Sequence, residues 1–264
     1  MSGIYYVHLK WAPKDGNHTA AWGRYHLCFP SRYIADEFYR AIQQVKNGND
    51  LVFPELVRSS PQFWCHSALT WDVPHTVQAL GLVDEFRQVV STSIINDGLG
   101  GGRSFSLILN PVTGPDWLSG GTFFIRNRRQ PNLYWFLHRE HVHVSDEGRT
   151  KFRVDMAKPT RQQQDLKQLV LIREDEVYVS IVTETTTSFV VRDDKKRYLG
   201  LAPNSSAGSP RKVTPVIDAH PWTFGNLLCN SVGVIWEPEE GDGEEMRPHL
   251  AHMTEGGADE WELC

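Results

Sequence analysis

Residues 120–156 read GGTFFIRNRRQPNLYWFLHREHVHVSDEGRTKFRVDM, and this stretch decides the predicted fold of the second half of the chain. It contains short runs rich in aromatic and β-branched residues, TFFIR, LYWFL, HVHVS and KFRVDM. The turn-forming sequences QPN and SDEG and a run of charged residues separate these runs. Short strands joined by turns at such close spacing are typical of an all-β barrel.

The chain after residue 156 continues the same pattern until its last part. Strand-like runs recur in 168–182, which has an acidic turn, and in 185–201, which has the turn DDKK. Two further runs follow at 211–222 and 227–236. Residues 238–264 are acidic and rich in glycine, so the sequence predicts a flexible tail there.

The first half of the chain shows a different pattern. The sequence predicts two paired strands at 4–12 and 21–29, a helix at 32–45 that Ser31 caps, and a strand in FWCHSAL at 63–69. A second helical pattern follows at 74–90, and then the strand SFSLIL at 104–109. Proline and glycine are dense in 111–121, where we place a domain boundary. The sequence therefore predicts a small α+β domain over residues 1–115, of unknown role, followed by an all-β domain over 118–237.

Composition excludes several classes of protein. The chain has 264 residues, a formal net charge of −5 and a pI of about 6.1, whereas general nucleic-acid binders are usually basic. No apolar run approaches the roughly 18 to 20 residues that a membrane span needs, and the start lacks the pattern of a signal peptide. The four cysteines form no CxxC pair, which is typical of free thiols in a reducing compartment. We therefore predict a cytoplasmic protein with no nucleic-acid or membrane partner and no cofactor.

Two aromatic segments of the second half match in kind. RTKFRVDM and TTSFVVRD place Phe152 and Phe189 37 residues apart, close to the roughly 40 residues of a unit in a threefold β-trefoil. Residues 118–237 resemble the ricin-B-like β-trefoil lectins, in particular intracellular fungal members. The resemblance is carried by the segments FFIRN, LYWFL, VHVS and RTKFRV. The resemblance implies a β-trefoil-like domain that binds a glycan or another small polar ligand. The Asp that such lectins carry after an aromatic-Leu pair is replaced here by Trp135-Phe136, and their Gln-x-Trp by Phe152-Arg153.

A ligand site is predicted at the first hairpin of this domain, on Asn132, Trp135 and Asp146. Asn132 and Asp146 are short polar residues in turn-like sequence, able to bind sugar hydroxyls. Trp135 could give a stacking surface, and packing in the core is its alternative interpretation. The basic segment RNRRQ, residues 126–130, could meet phosphate or carboxylate groups, or form a solvated hairpin turn.

The densest group of metal-type side chains is HREHVHVSDE. On a strand, His141 and His143 would share one face, and Glu147 follows them, an order that resembles the first metal motif of cupins. No second motif supplies a further histidine, so we predict solvated histidines on an exposed strand and no metal. The preferred function is thus non-enzymatic binding of a glycan or small polar ligand. A protein–protein interaction module and a metal-dependent enzyme centred on His141 and His143 are the alternatives.

Overall fold

A computed structural model describes most of the chain. The described residues are 4–12, 24–67, 84–87, 91–94, 114–139, 141–164, 166, 168–182, 187–192, 199–203, 220–238, 246–254 and 256–264. The chain divides into two compact units, Met1–Asp116 and Trp117–Cys264, which we describe separately. Strands predominate in the described part of each unit.

The first unit is organised around a five-stranded sheet of order β5-β6-β1-β2-β7. Its elements are β1 (Tyr5–Trp11), β2 (Arg24–Phe29), α1 (Arg32–Ile42), β3 (Lys46–Asn47), β4 (Asp50–Leu51), β5 (Val57–Ser60), β6 (Phe63–His66), a 3-10 turn (Asp84–Phe86) and β7 (Ser91–Ile94). Strands β1 and β2 pair antiparallel, which confirms the predicted hairpin, and β6 adds to β1 in parallel. The strand predicted in FWCHSAL is also confirmed, as β6.

Helix α1 forms where the sequence predicts it. The hydroxyl of Ser31 accepts a hydrogen bond from the backbone N–H of Ile34 at 3.4 Å, so the predicted N-cap is present. The buried face of the helix packs its aromatic rings on the sheet, with Phe38 5.4 Å from Phe29 and Tyr39 5.0 Å from Trp64 between ring centroids. The helix ends at Ile42, three residues before its predicted end at Val45.

The prediction of an α+β first domain is wrong, because the unit is mainly a β-sheet. Helix α1 is the one α-helix within the described residues of 4–12, 24–67, 84–87, 91–94 and 114–116. The second predicted helix, 74–90, lies outside the described residues except for 84–87, which contain a 3-10 turn. The predicted strand at 104–109 lies wholly outside them. The size of the sheet was missed because it depends on pairing between distant segments, such as β1 with β6, and local sequence patterns do not indicate which strands pair.

The second unit contains eleven strands among its described residues. They are β8 (Gly121–Asn127), β9 (Tyr134–His138), β10 (His141–Ser145), β11 (Lys151–Met156), β12 (Glu176–Val182), β13 (Thr187–Arg192), β14 (Leu199–Pro203), β15 (Trp222–Thr223), β16 (Val232–Pro238), β17 (Met246–His252) and β18 (Trp261–Leu263). The short helices α2 (Arg161–Gln164) and α3 (Phe224–Cys229) interrupt the series.

Seven of these strands close a barrel, in the order β14-β13-β12-β11-β8-β9-β10. The barrel closes because His141 of β10 pairs with Gly200 of β14. Strand β10 also pairs with β17, which carries β16 on its other side. The core consists of inward side chains from alternate positions of the strands, among them Phe123, Ile125, Trp135, Val142, Phe152, Val154, Val177 and Val179.

The predicted β-trefoil is therefore wrong, because a single closed barrel replaces three equivalent units. The similarity that suggested a repeat has a simpler origin. Phe152 and Phe189 are both buried residues of barrel strands. Every strand of a barrel alternates inward apolar and outward polar residues, so two strands match in pattern without any repeat of the fold.

The segment predicted as a flexible tail is part of the sheet. Strand β17 pairs with β10 and β16, and β18 pairs with β8. Trp261 is fully buried, and its indole N–H donates a hydrogen bond to the carbonyl of Val232 at 2.9 Å. A few buried apolar side chains are enough to hold these short strands, and in β18 the acidic Glu262 takes the position between the buried Trp261 and Leu263.

The described helices are short. None of them is both long enough and apolar enough to cross a membrane.

Candidate functional site

The hairpin between β8 and β9 is held by the side chain of Asn127. Its carbonyl oxygen accepts hydrogen bonds from the backbone N–H groups of Arg129 and Gln130, each at 2.9 Å. The N–H of Asn127 in turn donates to the carbonyl of Leu133 at 2.9 Å. An asparagine that caps a turn in this way fixes the backbone, and the exposed residues 128–132 project from a defined base.

The loop between β10 and β11, residues 146–150, is fixed beside this hairpin. The Ser145 hydroxyl accepts hydrogen bonds from the N–H groups of Glu147 and Gly148 at 3.1 and 3.0 Å. Gly148 lies so close to the Phe136 ring that a Cβ would meet it at 2.8 Å. Thr150 then bonds to β9, with its N–H donating to the carbonyl of Trp135 at 3.0 Å. These contacts determine where the next side chains of the loop and of β11 lie.

The result is a cluster of two aromatic rings and two cations, Phe124, Tyr134, Arg149 and Lys151, which we call the cation–aromatic patch. The ring centroids of Phe124 and Tyr134 are 6.3 Å apart in an edge-to-face arrangement. The Arg149 guanidinium carbon lies 4.5 Å from the centroid of Phe124 and 5.5 Å from that of Tyr134. The Lys151 ammonium lies 5.3 Å from the centroid of Phe124, its cross-strand neighbour. Both cationic residues are exposed.

The other cations of this part of the barrel are paired with carboxylates. Glu262 of β18 binds Arg126, with the Arg126 Nε donating to the carboxylate at 2.6 Å. Glu260 lies 3.6 Å from Arg128 and 3.4 Å from Arg129. On β11, Arg153 binds Asp155 at 2.9 Å.

Arg149 and Lys151 differ from these cations because, within the described residues, their charged groups contact aromatic rings and no carboxylate. The patch therefore presents positive charge toward solvent.

The predicted ligand residues divide between the surface and the core. Asn132 and Asp146 are exposed, and the pairing of Tyr134 with Ser145 brings the two turns that carry them to the same end of the barrel. Trp135 is fully buried and packs edge-to-face against Phe152 and Trp261, each with a centroid distance of 5.7 Å. Its core interpretation is thus the correct one, and Trp135 cannot stack on a ligand.

The sequence-based prediction names residues of this hairpin and of the following turn, but not their outward aromatic and cationic neighbours. Tyr134 directly precedes Trp135 and points to the opposite face, because side chains alternate along a strand. Phe124 occupies the equivalent outward position in β8, between the buried Phe123 and Ile125. The signal available in the sequence was this alternation, together with the motif Arg149-x-Lys151 after the second turn.

The predicted metal-type histidines lie in a different environment from the expected one. His141 and His143 do share a face of β10, with ring centroids 6.4 Å apart, whereas Glu147 is exposed in the following loop. His143 is only 6% exposed and faces His249, so the prediction that both histidines are solvated is wrong for His143. In the part of the chain that the structure describes, no group of three or more His, Cys, Asp or Glu residues is arranged to hold a metal ion.

Three of the four thiols are poor nucleophiles. None of the four cysteines forms a disulfide, and burial raises the pKa of the Cys28, Cys65 and Cys264 thiols above the ordinary value. The thiolate is the nucleophilic form of cysteine, so a raised pKa leaves little of it near neutral pH.

Comparison with known proteins adds no assignment. No protein-family model matches the chain, and no curated protein sequence is significantly similar to it.

Proposed function

We propose that the second unit is a non-enzymatic binding module that recognises an acidic glycan, a sugar with carboxylate or sulfate groups, through the cation–aromatic patch. The observation that carries the proposal is the contrast between cations that have a carboxylate partner and two cations that, among the described residues, contact aromatic rings instead. Arg126, Arg128 and Arg129 each have a carboxylate within the unit, whereas Arg149 and Lys151 present their charges above aromatic rings. A ligand with anionic groups could form ion pairs with these two side chains.

The aromatic rings orient the cations for this task. A guanidinium held against a ring face gains about 0.5–1 kcal/mol at an exposed site and loses part of its side-chain freedom before a ligand arrives. Its N–H groups at the edge stay available, and they match the paired oxygens of a carboxylate or sulfate. Lys151 adds a compact second charge on the neighbouring strand. A bound anion would therefore meet two preorganised donors rather than two mobile ones.

Neutral sugars fit this surface less well than acidic ones. A neutral sugar is usually held by an open aromatic face against its apolar side, but Arg149 and Lys151 lie over the ring of Phe124. Asn132 and Asp146, exposed in turns at the same end of the barrel, can bind hydroxyl groups around the charged centre. Charge would thus supply most of the affinity, and the amide and carboxylate would select among acidic sugars.

The proposal is tested by binding assays with matched charge variants. Wild-type protein is screened against acidic and neutral glycans, and the best acidic ligand is measured by calorimetry. A hydrogen bond to a charged group contributes about 1.5–3 kcal/mol, so we expect Arg149→Ala and Lys151→Ala each to weaken binding by roughly 10- to 100-fold. Lys158→Ala is the control, because Lys158 is also an exposed cation but lies 3.5 Å from Glu176.

Two results would contradict the proposal. One is the absence of any preference for acidic over neutral glycans. The other is an equal loss of affinity in Lys158→Ala, which would mean that overall charge and not the patch determines binding. The prediction of a protein partner, and of a cytoplasmic location, stays a separate prediction.

A further inference from the structure

Strand β10 is the point at which the barrel and an additional hairpin meet. It closes the barrel through the pairing of His141 with Gly200. Two residues further along the strand, His143 pairs with His249 of β17. Strands β16 and β17 form an antiparallel hairpin over seven residue pairs. Contact between His143 and His249 therefore lies at the joint between this hairpin and the barrel.

The two imidazoles of the joint are buried against each other. His143 and His249 are 6% and 4% exposed, and their ring centroids are 4.5 Å apart with an angle of 47° between the planes. Two further histidines contact the same ring: His138 of β9 at 6.0 Å and His141 of β10 at 6.4 Å from His143. Four imidazoles thus form one continuous group on three adjacent strands.

Charged and titratable side chains face the joint from several strands. On β17, Arg247 lies two residues from His249 and shares its face. On β16, Glu237 is the cross-strand neighbour of Arg247, and Ile235 is that of His249. From β9 the group is faced by His138 and the apolar Phe136, and β14 contributes Gly200, which has no side chain. The described strands thus bring both signs of charge close to the buried pair His143 and His249.

We propose that this histidine group is an acid-sensitive joint, whose protonation separates β17 from β10 and loosens the β16–β17 hairpin from the barrel. Neutral imidazoles can stack in a buried site, but two imidazolium ions at 4.5 Å repel each other where little water is present to screen them. Separation of the strands exposes both rings to water and removes this repulsion. The other end of the hairpin stays anchored, because the indole of Trp261 bonds to Val232 and the Asp259 carboxylate accepts from the N–H of Val234.

The direction of the pH effect follows from proton uptake. The closed joint favours neutral rings, and the open joint takes up protons near the ordinary imidazole pKa of about 6.5. The joint is therefore most stable above that pH and weakens as the pH falls below it. Each additional proton taken up on opening raises the opening equilibrium constant by at most about tenfold per pH unit.

Hydrogen exchange of the wild-type protein tests the proposal without any substitution. After correction for the intrinsic pH dependence, exchange in 246–252 should accelerate between pH 7.5 and 5.5 relative to 121–127 of the barrel. His143→Phe and His249→Phe, which keep a ring but remove the proton site, should abolish this acceleration. His252→Phe is the matched control, since His252 lies on the same strand but packs against Trp222 on the opposite face.

The outcomes are distinct. Equal pH dependence in the two segments of the wild-type protein would overturn the proposal even if a variant failed to fold. Retention of the acceleration in both His143→Phe and His249→Phe, or its loss in His252→Phe, would also overturn it.

Discussion

Replacement of Arg58 by methionine should destabilise the first unit more than almost any other single change of charge. The Arg58 guanidinium is buried, and its two terminal nitrogens bind Asp36 at 2.8 Å and Asp116 at 2.6 Å. Its plane also lies 5.0 Å from the centroid of the Tyr39 ring. One side chain thereby links β5, helix α1 and the segment around Asp116.

The expected loss of stability depends on which partners the two carboxylates keep when Arg58 is removed. Removal of one partner of a buried ion pair costs about 3–5 kcal/mol, since the other charge remains buried without compensation. Asp36, 1% exposed, would keep one cation within the described residues, the Arg32 Nε at 3.4 Å. Asp116 is 16% exposed and can recruit water. We therefore expect Arg58→Met to lower the free energy of unfolding by about 4 kcal/mol, near the middle of that range.

Lowering the pH should restore part of the stability of the Arg58→Met variant. Such a restoration is expected if the variant loses an ion pair, but not if it loses only packing contacts. Burial raises the pKa of Asp36, and Arg58 and Arg32 oppose this rise. Without Arg58 the opposition is weaker, so Asp36 takes up a proton at a higher pH. A carboxyl group with a raised pKa in the folded state favours folding as the pH falls, so the deficit of the variant relative to wild type should shrink between pH 7 and pH 5.

Urea unfolding at several pH values, with hydrogen exchange in β1 and β6 as the report on this unit, measures the effect. Arg87→Met is the control, because Arg87 forms an exposed ion pair with Asp84 and its loss should cost less than about 0.5 kcal/mol. A deficit below about 1 kcal/mol, or one that does not change with pH, would refute the reasoning.

Two other substitutions test the cores of the two units. Burial lowers the pKa of His66 to about 4, so the wild-type protein should lose about 3 kcal/mol of unfolding free energy as the pH falls from 6.5 to 4, and His66→Phe should lose much less over the same range. Urea titrations in parallel buffers would show this, and identical slopes for the two proteins would contradict it. Trp135→Ala should destabilise the second unit by about 3–5 kcal/mol, whereas its neighbour Tyr134→Ala should change stability little and lower affinity for an acidic glycan. Thermal unfolding and calorimetry separate the two effects, and a stable Trp135→Ala protein would be the contrary result.

Local structure could be predicted from the sequence where neighbouring residues determine it. The β1–β2 hairpin and helix α1 depend on alternation, spacing and the cap of Ser31, and both are confirmed. The fold of the second unit could not be predicted in the same way. Closure of the barrel depends on the pairing of His141 with Gly200, residues that are far apart in the chain. A series of short strands is compatible with several barrels, and a distant pairing of this kind selects one.

The candidate site shows the same limit at the scale of one strand. Alternation indicates that Tyr134 and Trp135 face opposite sides, but it does not indicate which side is the core. That choice depends on Phe152 and Trp261, which enclose the Trp135 ring in the structure. The outward-facing aromatic beside Trp135 is thus the half-buried Tyr134, and the cations that accompany it come from the next loop and strand.

The acidic C-terminal segment links the remaining errors. Because residues 238–264 read as a flexible tail, His143 had no visible partner and the basic segment 126–130 had no visible acid. In the structure the same segment supplies His249 to His143, and Glu260 and Glu262 to the arginines. Carboxylates of the chain itself therefore form ion pairs with the arginines of 126–130, the segment that the sequence most strongly indicates as an anion site. The positive charge for which we propose an anionic ligand lies instead on Arg149 and Lys151, above the rings of Phe124 and Tyr134.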